Sequence, residues 1–428
     1  MSFRSFLALL LCTLLLGACR TGSTGTAVPR TGTWRMALAI PDTLAGRDHT
    51  LPFLFDLQRD SSGWRMHIHN GAENITVDEI SVHADSIRIR MPLYDSEFLG
   101  VVENDSTIRG DWYNYLRGPN YRLPFTARAG AAPRFAASPA PGRLGSGHWE
   151  VHFGDAGDSA NTYAAIGLFS ETEGRVTGTF ATETGDYRFL DGVVSQDSLY
   201  LSSFNGTQAF LFAAALRNDS LIGRFWSGSH HQEPWMAWPN SDFALRNEDS
   251  LTTLREGYAM VDFQFPSVEG GVLSPKAPEH RSKVVLVQIL GSWCPNCADE
   301  TALLNDLFDR HHAEGLDVLG IAFERHTEHD KAIAGLKRFR KRLNVHYPMA
   351  YAGTADREVC EKLPFLDHFM GYPTCIFIGR DGLVRRVHTG FYGPGTGAER
   401  YAAYKRDLER FVTTMLAEEP PALADRKP

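Results

Sequence analysis

Two cysteines separated by two residues, Cys294 and Cys297 in the run Trp293-Cys294-Pro295-Asn296-Cys297, carry the chemistry most directly readable in this chain. They follow an apolar run, Val284-Val285-Leu286-Val287-Gln288-Ile289-Leu290, and precede Leu303, Leu304, Leu307 and Phe308 at helical spacing. A cysteine at such a strand-to-helix junction sits where unsatisfied backbone N–H groups and the helix dipole favour thiolate. Cys294 is therefore the expected nucleophile toward a disulfide. Cys297, one turn on and more enclosed, is the expected thiol that resolves the mixed disulfide. Pro295 suits the first helical turn, where a missing N–H is tolerated.

Other uses of a cysteine pair need neighbours that can be checked. A c-type haem requires His directly after the second cysteine, and Ala298 stands there. Structural zinc requires two more ligands; Cys360 and Cys375 are too far apart for a second knuckle, which leaves His326 and His329 as donors. A purely structural disulfide across so short a loop contributes little by closing it. Neither a metal nor an organic cofactor is expected.

The elements that position the pair follow an α/β pattern from about Asp262 onward. Val284–Leu290 reads as a buried central strand, Leu316 to Phe323 as the next strand and Ala332 to Leu343 as a basic amphipathic helix. Thr374 to Ile378 and Leu383 to His388 read as a hairpin turning at Asp381-Gly382, and Ala398 to Leu416 as a terminal helix.

Before this unit the pattern is β. Alternating runs such as Trp64-Arg65-Met66-His67-Ile68-His69 are punctuated by Asn, Asp, Gly and Ser from Trp34 to Arg246. Asp85-Ser86, Phe98, Asn104-Asp105-Ser106, Gly110 and Trp112 are echoed by Asp197-Ser198, Phe210, Asn218-Asp219-Ser220, Gly223 and Trp226, and Trp34 by Trp149. Two tandem antiparallel β units are expected, as two small barrels or as halves of one structure. The expected order is a signal segment 1–18, a tether 19–32, β units 33–130 and 147–246, and the α/β unit 258–418. Ala131 to Gly147, rich in Ala and Pro, is the expected linker, and Trp112 and Trp226 are read as core residues of their repeats.

The 428 residues carry 43% hydrophobic and 22% charged residues and a formal net charge of -8. That balance gives no electrostatic reason to expect nucleic acid. Arg4 precedes an apolar run, Phe6 to Leu16, too short to span a bilayer but suited to a signal segment. It ends in Leu16-Gly17-Ala18-Cys19, which resembles a bacterial lipobox with Cys19 as the lipidated residue. Arg20 after that cysteine favours the outer membrane of a Gram-negative cell, with the chain facing the periplasm. Beyond Cys12 and Cys19 the only cysteines are Cys294, Cys297, Cys360 and Cys375, all in the last third, a distribution of chemistry rather than stapling.

From about Asp262 the chain resembles the thioredoxin-like reductases of the TlpA/ResA type, which are exported bacterial proteins. The carriers are Val285 to Gln288, the run from Trp293 to Cys297, Glu300, Gly371-Tyr372-Pro373-Thr374, Gly382 and Thr389-Gly390-Phe391. The resemblance implies a thioredoxin-like fold and a cis Pro373 facing the dithiol, with Trp293, Tyr372 and Pro373 forming the surface that takes the substrate chain. It implies that Glu300 handles protons at the dithiol, whereas the position alone is equally that of a solvated partner of the helix dipole. Two departures stand out: Gln288 replaces the buried acid of thioredoxin itself, and Ala302 replaces the usual helix-kinking proline.

Cys375 reads as an inert core thiol and Cys360 as a free thiol or second redox partner, while His311, His312, His326 and His329 read as solvated. The expected activity is disulfide reduction in the envelope by a lipid-anchored protein. Its partners would be protein disulfides or dithiols and an upstream thiol protein that donates electrons. One rival is a thiol peroxidase, whose Pro-x-x-x-Thr-x-x-Cys pattern is missing, since Gly291 stands where the Thr belongs. Another is an envelope binding or assembly protein whose β units carry the main function.

Overall fold

The computed structural model describes residues 27–420 other than 43–45, 156, 159–160 and 356–358. The signal segment, Cys19 and most of the tether lie outside the described residues.

Residues 32–239 form two nine-stranded antiparallel sheets, each an up-and-down meander that folds back on its first strand. In the first, Gly32–Asp42 pairs with both Arg47–Asp60 and Arg122–Ala129. In the second, Gly147–Phe153 pairs with both Tyr163–Thr172 and His231–Pro239. Pairing of Arg175–Thr182 with Tyr163–Thr172 on one side and Leu190–Ser195 on the other closes the second sheet into a barrel. The first stays open between its edge strands Glu73–Val77 and Glu79–His83.

Strand alternation explains where each apolar face goes. The barrel is filled by Trp149, Phe153, Phe180, Phe212, Phe225 and Trp235. The open sheet gathers Trp34, Phe53, Phe55, Phe98 and Trp112, and completes its core with Phe204, Leu211 and Trp226 from the barrel's outer wall. Phe53 and Phe204 stack across this boundary at 4.6 Å. Of the two arrangements expected for the β units, the second is closer, because the units share a core. Trp226 accordingly departs from its reading as a core residue of its own repeat. Gly110 and Trp112 are two apart but Gly223 and Trp226 three apart, and an odd offset flips the side chain to the other face of a strand.

The Ala- and Pro-rich linker is pinned at Arg134. This buried side chain donates to the carbonyls of Pro52, at 3.2 Å, and His69, and to Ser202 Oγ at 2.9 Å, with Asp191 at 3.5 Å.

The α/β unit has the strand order Met349–Thr354, Leu316–Glu324, Val284–Leu290, Thr374–Ile378, Val384–Thr389. The first three are parallel, Thr374–Ile378 runs antiparallel to them, and Val384–Thr389 is antiparallel to Thr374–Ile378 in turn, which is a thioredoxin-like arrangement. All seven residues of Val284–Leu290 are buried. Helices Pro295–His311, His329–Arg342 and Ala398–Leu416 pack on one face. Val261, Phe263, Leu363 and Phe365 cover the other. The basic helix thus starts three residues earlier than its apolar periodicity indicates, and the edge strand Met349–Thr354 has no counterpart in the sequence reading.

Candidate active site

Cys294 caps the helix Pro295–His311: its sulfur accepts the Cys297 N–H at 3.3 Å, and its thiol donates to the Tyr372 carbonyl at 3.8 Å. Both cysteines are free thiols; Cys294 is 6% exposed and Cys297 fully buried. Burial and the neighbouring sulfur push the Cys297 thiol well above its ordinary pKa. The Tyr372-Pro373 peptide is cis. Trp293 is fixed by donation from Nε1 to the Phe323 carbonyl at 3.0 Å, and its ring meets Tyr372 edge-on at 5.3 Å. The residues expected to line the site, Trp293, Cys294, Cys297, Tyr372 and Pro373, therefore meet at one place.

Glu300 is inside the protein, 2% exposed, one turn beyond Cys297, so the solvated reading of this position does not hold. Gln288 on the central strand donates from Nε2 to Glu300 Oε2 at 2.8 Å and to the Cys297 carbonyl at 3.3 Å. Thr301 Oγ1 and Tyr347 OH each donate to Gln288 Oε1 at 3.0 Å, which fixes the amide orientation. Burial pushes Glu300 up to about 8, against the opposing pull of the Gln288 hydrogen bond. The strand supplies an amide where thioredoxin has an acid, and the helix supplies the acid beside it.

Cys375 pairs in register with Gln288 and is buried on the same side of the sheet as the dithiol, its thiol pushed well up by burial. Cys360 packs against the core on the opposite face. Two of the four histidines read as solvated are not. His326 sits with Nε2 3.0 Å from Asp95 Oδ2 of the first β sheet, and His311 is buried with Nδ1 3.1 Å from Glu314 Oε2. Among the described residues no group of three or more His, Cys, Asp and Glu side chains is placed to hold a metal ion.

The β region supplies walls that sequence reasoning missed. Asn296, between the cysteines, donates to the Asp186 carbonyl at 3.1 Å. Arg188 donates to the Pro295 carbonyl at 3.3 Å and pairs with Asp299, while its other nitrogen lies 2.5 Å from Glu73 Oε1. Asp186 accepts Gly393 N–H at 2.6 Å, and burial together with nearby Asp299 pushes it up to about 6. A Cβ on Gly371 would lie 3.0 Å from Thr184 Cγ2, so the turn at Thr184 covers the loop before Pro373. Leu93 packs against the dithiol core. These residues are more than 100 positions from the cysteines, and no one-dimensional spacing connects them.

Residues 257–387 match the AhpC/TSA family. The C-terminal region thus carries an AhpC/TSA-type thioredoxin-like domain. Solved structures similar to it include a thiol:disulfide interchange protein of the thioredoxin family from Chlorobium tepidum, at 22% identity, covering 39% of this chain and 100% of that one, with a TM-score of 0.30. A secreted thiol-disulfide isomerase from Corynebacterium glutamicum is 18% identical, covering 41% and 98%, with a TM-score of 0.31. A DsbF homologue from Corynebacterium diphtheriae is 15% identical, covering 40% and 97%, with a TM-score of 0.30. No curated protein matches the chain. No helix among the described residues is long and apolar enough to cross a membrane.

Proposed function

We propose that this chain is a thiol:disulfide oxidoreductase that reduces disulfides of envelope proteins, anchored through a lipid on Cys19 and facing the periplasm, at the outer membrane. The observation that carries the reading is Cys294 at a helix N-cap, opposite Tyr372 and Pro373, with Cys297 enclosed behind it. Cys294 thiolate attacks one sulfur of the substrate, forming a mixed disulfide and expelling the other sulfur as thiolate, which takes up a proton. Cys297 then attacks Cys294 Sγ, frees the second substrate sulfur and leaves the dithiol oxidised, so two electrons pass to the substrate. Before that second attack Cys297 must lose a proton that burial holds tightly. Glu300, tied to the Cys297 backbone through Gln288, is the proposed acceptor in its carboxylate form, whose share grows as pH rises through about 8. An upstream thiol protein restores the dithiol.

Pre-reduced full chain mixed with a disulfide-bridged peptide should lose two thiols while the peptide gains two. Cys297→Ser should stop at a mixed disulfide visible by mass spectrometry. A peptide left intact, together with no adduct on the variant, would overturn the reading.

The AhpC/TSA match favours a second reading, a thiol peroxidase. Gly291 in place of the Thr such sites use argues against it, and peroxide consumption by the reduced chain is the deciding measurement.

A further inference from the structure

An arginine stands beside the dithiol. Arg325, immediately after the strand Leu316–Glu324, lays its guanidinium 3.9 Å from the ring centroid of Trp293, the residue next to the nucleophile. The adjacent carboxylate does not neutralise it: Glu324 is turned inward, accepting Ser292 N–H at 3.0 Å and Ser292 Oγ at 2.7 Å. Asp95 is likewise committed, to His326 at 3.0 Å and Arg338 at 3.7 Å.

Arg117 comes from the first β sheet, in the short turn Tyr115–Arg117, with its guanidinium 6.0 Å from the Tyr121 ring. Tyr121 is itself tied to the barrel, its hydroxyl 3.2 Å from His230 Nδ1 and accepting Ser229 N–H at 3.0 Å. Burial and Arg117 together push the Arg325 guanidinium down to about 10, and both arginines act on His230. The turn that carries Arg117 is tied to the same region, since Tyr115 N–H donates to the Asp95 carbonyl at 2.9 Å and Asp95 holds His326, the neighbour of Arg325, at 3.0 Å. Both guanidiniums are half-buried, and neither has a carboxylate at ion-pair distance among the described residues. Two like charges that feel each other away from bulk water are unfavourable until an anion joins them. A guanidinium is suited to a carboxylate, which it can meet with two parallel hydrogen bonds.

We propose that the site selects disulfides flanked by acidic residues, with Arg117 and Arg325 receiving the substrate carboxylate while Cys294 attacks the sulfur. This rests on the reductase reading and gives it a substrate class, an acidic peptide segment. The chemistry is the exchange already written: the substrate disulfide takes two electrons from Cys294 and Cys297 and leaves as two thiols. The β region then has a part in recognition, since Arg117 belongs to it.

The test uses pre-reduced full chain and three disulfide-bridged peptides identical except for flanking Glu, Gln or Lys. Each rate of dithiol oxidation is divided by the rate of the same peptide with 2-mercaptoethanol, which removes differences in intrinsic reactivity. The Glu peptide should react about tenfold faster than the Gln peptide, and the Lys peptide slowest, with the spread shrinking at about 0.5 M salt. Arg117→Gln and Arg325→Gln should each lower the Glu-to-Gln ratio, and the double variant should bring it to about one, as two pairing cations are removed. Equal normalised rates for the Glu and Gln peptides in the native chain would overturn the proposal and leave the reductase reading standing. No reduction of any of the three would overturn the reductase reading itself.

Discussion

Gln288 on the central strand and Glu300 on the helix after the dithiol are joined by a 2.8 Å hydrogen bond, and the same amide nitrogen reaches the Cys297 carbonyl. The pair puts a buried acid under the resolving cysteine without a second charge to compensate it. Burial therefore decides its titration, and Glu300 is raised from 4.5 to about 8.

A raised folded-state value makes Glu300 lower the stability of the fold as pH rises. Its contribution is fully present below 4.5, where folded and unfolded chains both hold the proton, and is lost progressively as pH climbs to about 8. Glu300→Gln removes the titration, so the denaturant midpoint of the native chain should fall relative to the variant between these limits. In single-turnover reduction the same variant should slow release from the mixed disulfide by about a hundredfold or more, the range for losing a positioned acid–base group. Parallel stability curves for the two proteins would show that Glu300 is not the buried acid described here.

Arg188 holds the barrel to both the first sheet and the dithiol helix through Glu73 and Asp299. Arg188→Met leaves these two carboxylates, with buried Asp186 nearby, short of their cation. Breaking such a buried pair from one side costs about 3–5 kcal/mol. The variant should show that loss in urea unfolding. Its Cys294 should also be alkylated faster by iodoacetamide, because the wall over the pair loosens. An unchanged alkylation rate would separate the clamp from access to the site.

The dithiol, the strands Val284–Leu290 and Leu316–Glu324 and the terminal helix were legible because each is local: a four-residue motif, a run of buried apolar residues, a period of 3.6. The hairpin Thr374 to His388 was legible for the same reason. The repeat gave the two β units through Trp34 and Trp149. What it could not give was the side on which Trp226 lies, because one inserted residue between Gly223 and Trp226 reverses the face. The burial of Glu300 and the placement of Arg188, Thr184 and Arg117 depend on contacts between distant segments. A polar residue that ends in an interdomain wall has the same local pattern as one that ends in water.

Gly185 lies in the turn over the dithiol with φ +133°, and a Cβ there would collide with Asn296 Nδ2 and lie 3.0 Å from the Phe391 carbonyl. Gly185→Ala combines backbone strain with a collision against the residue between the two cysteines, a loss of about 1–3 kcal/mol. To relieve it the turn must lift away from Asn296. Thermal stability should drop and Cys294 alkylation should accelerate. A variant as stable as the native chain would mean that the turn does not rest on the loop.

The shared core makes a last prediction about cooperativity. Trp226 projects from the barrel into the interior of the open sheet, in the same cluster as Phe53, Phe98 and Trp112. Trp226→Ala should leave a cavity costing about 3–5 kcal/mol. Were the two β units independent, that loss would appear in one unit alone and give a biphasic melt. Because the open sheet completes its core with the barrel's outer wall, both units should melt together at a lower temperature. Hydrogen exchange should then quicken at Phe53 and Phe98 as well as at Leu211, and protection retained in Gly32–Asp42 and its partners would contradict the shared core.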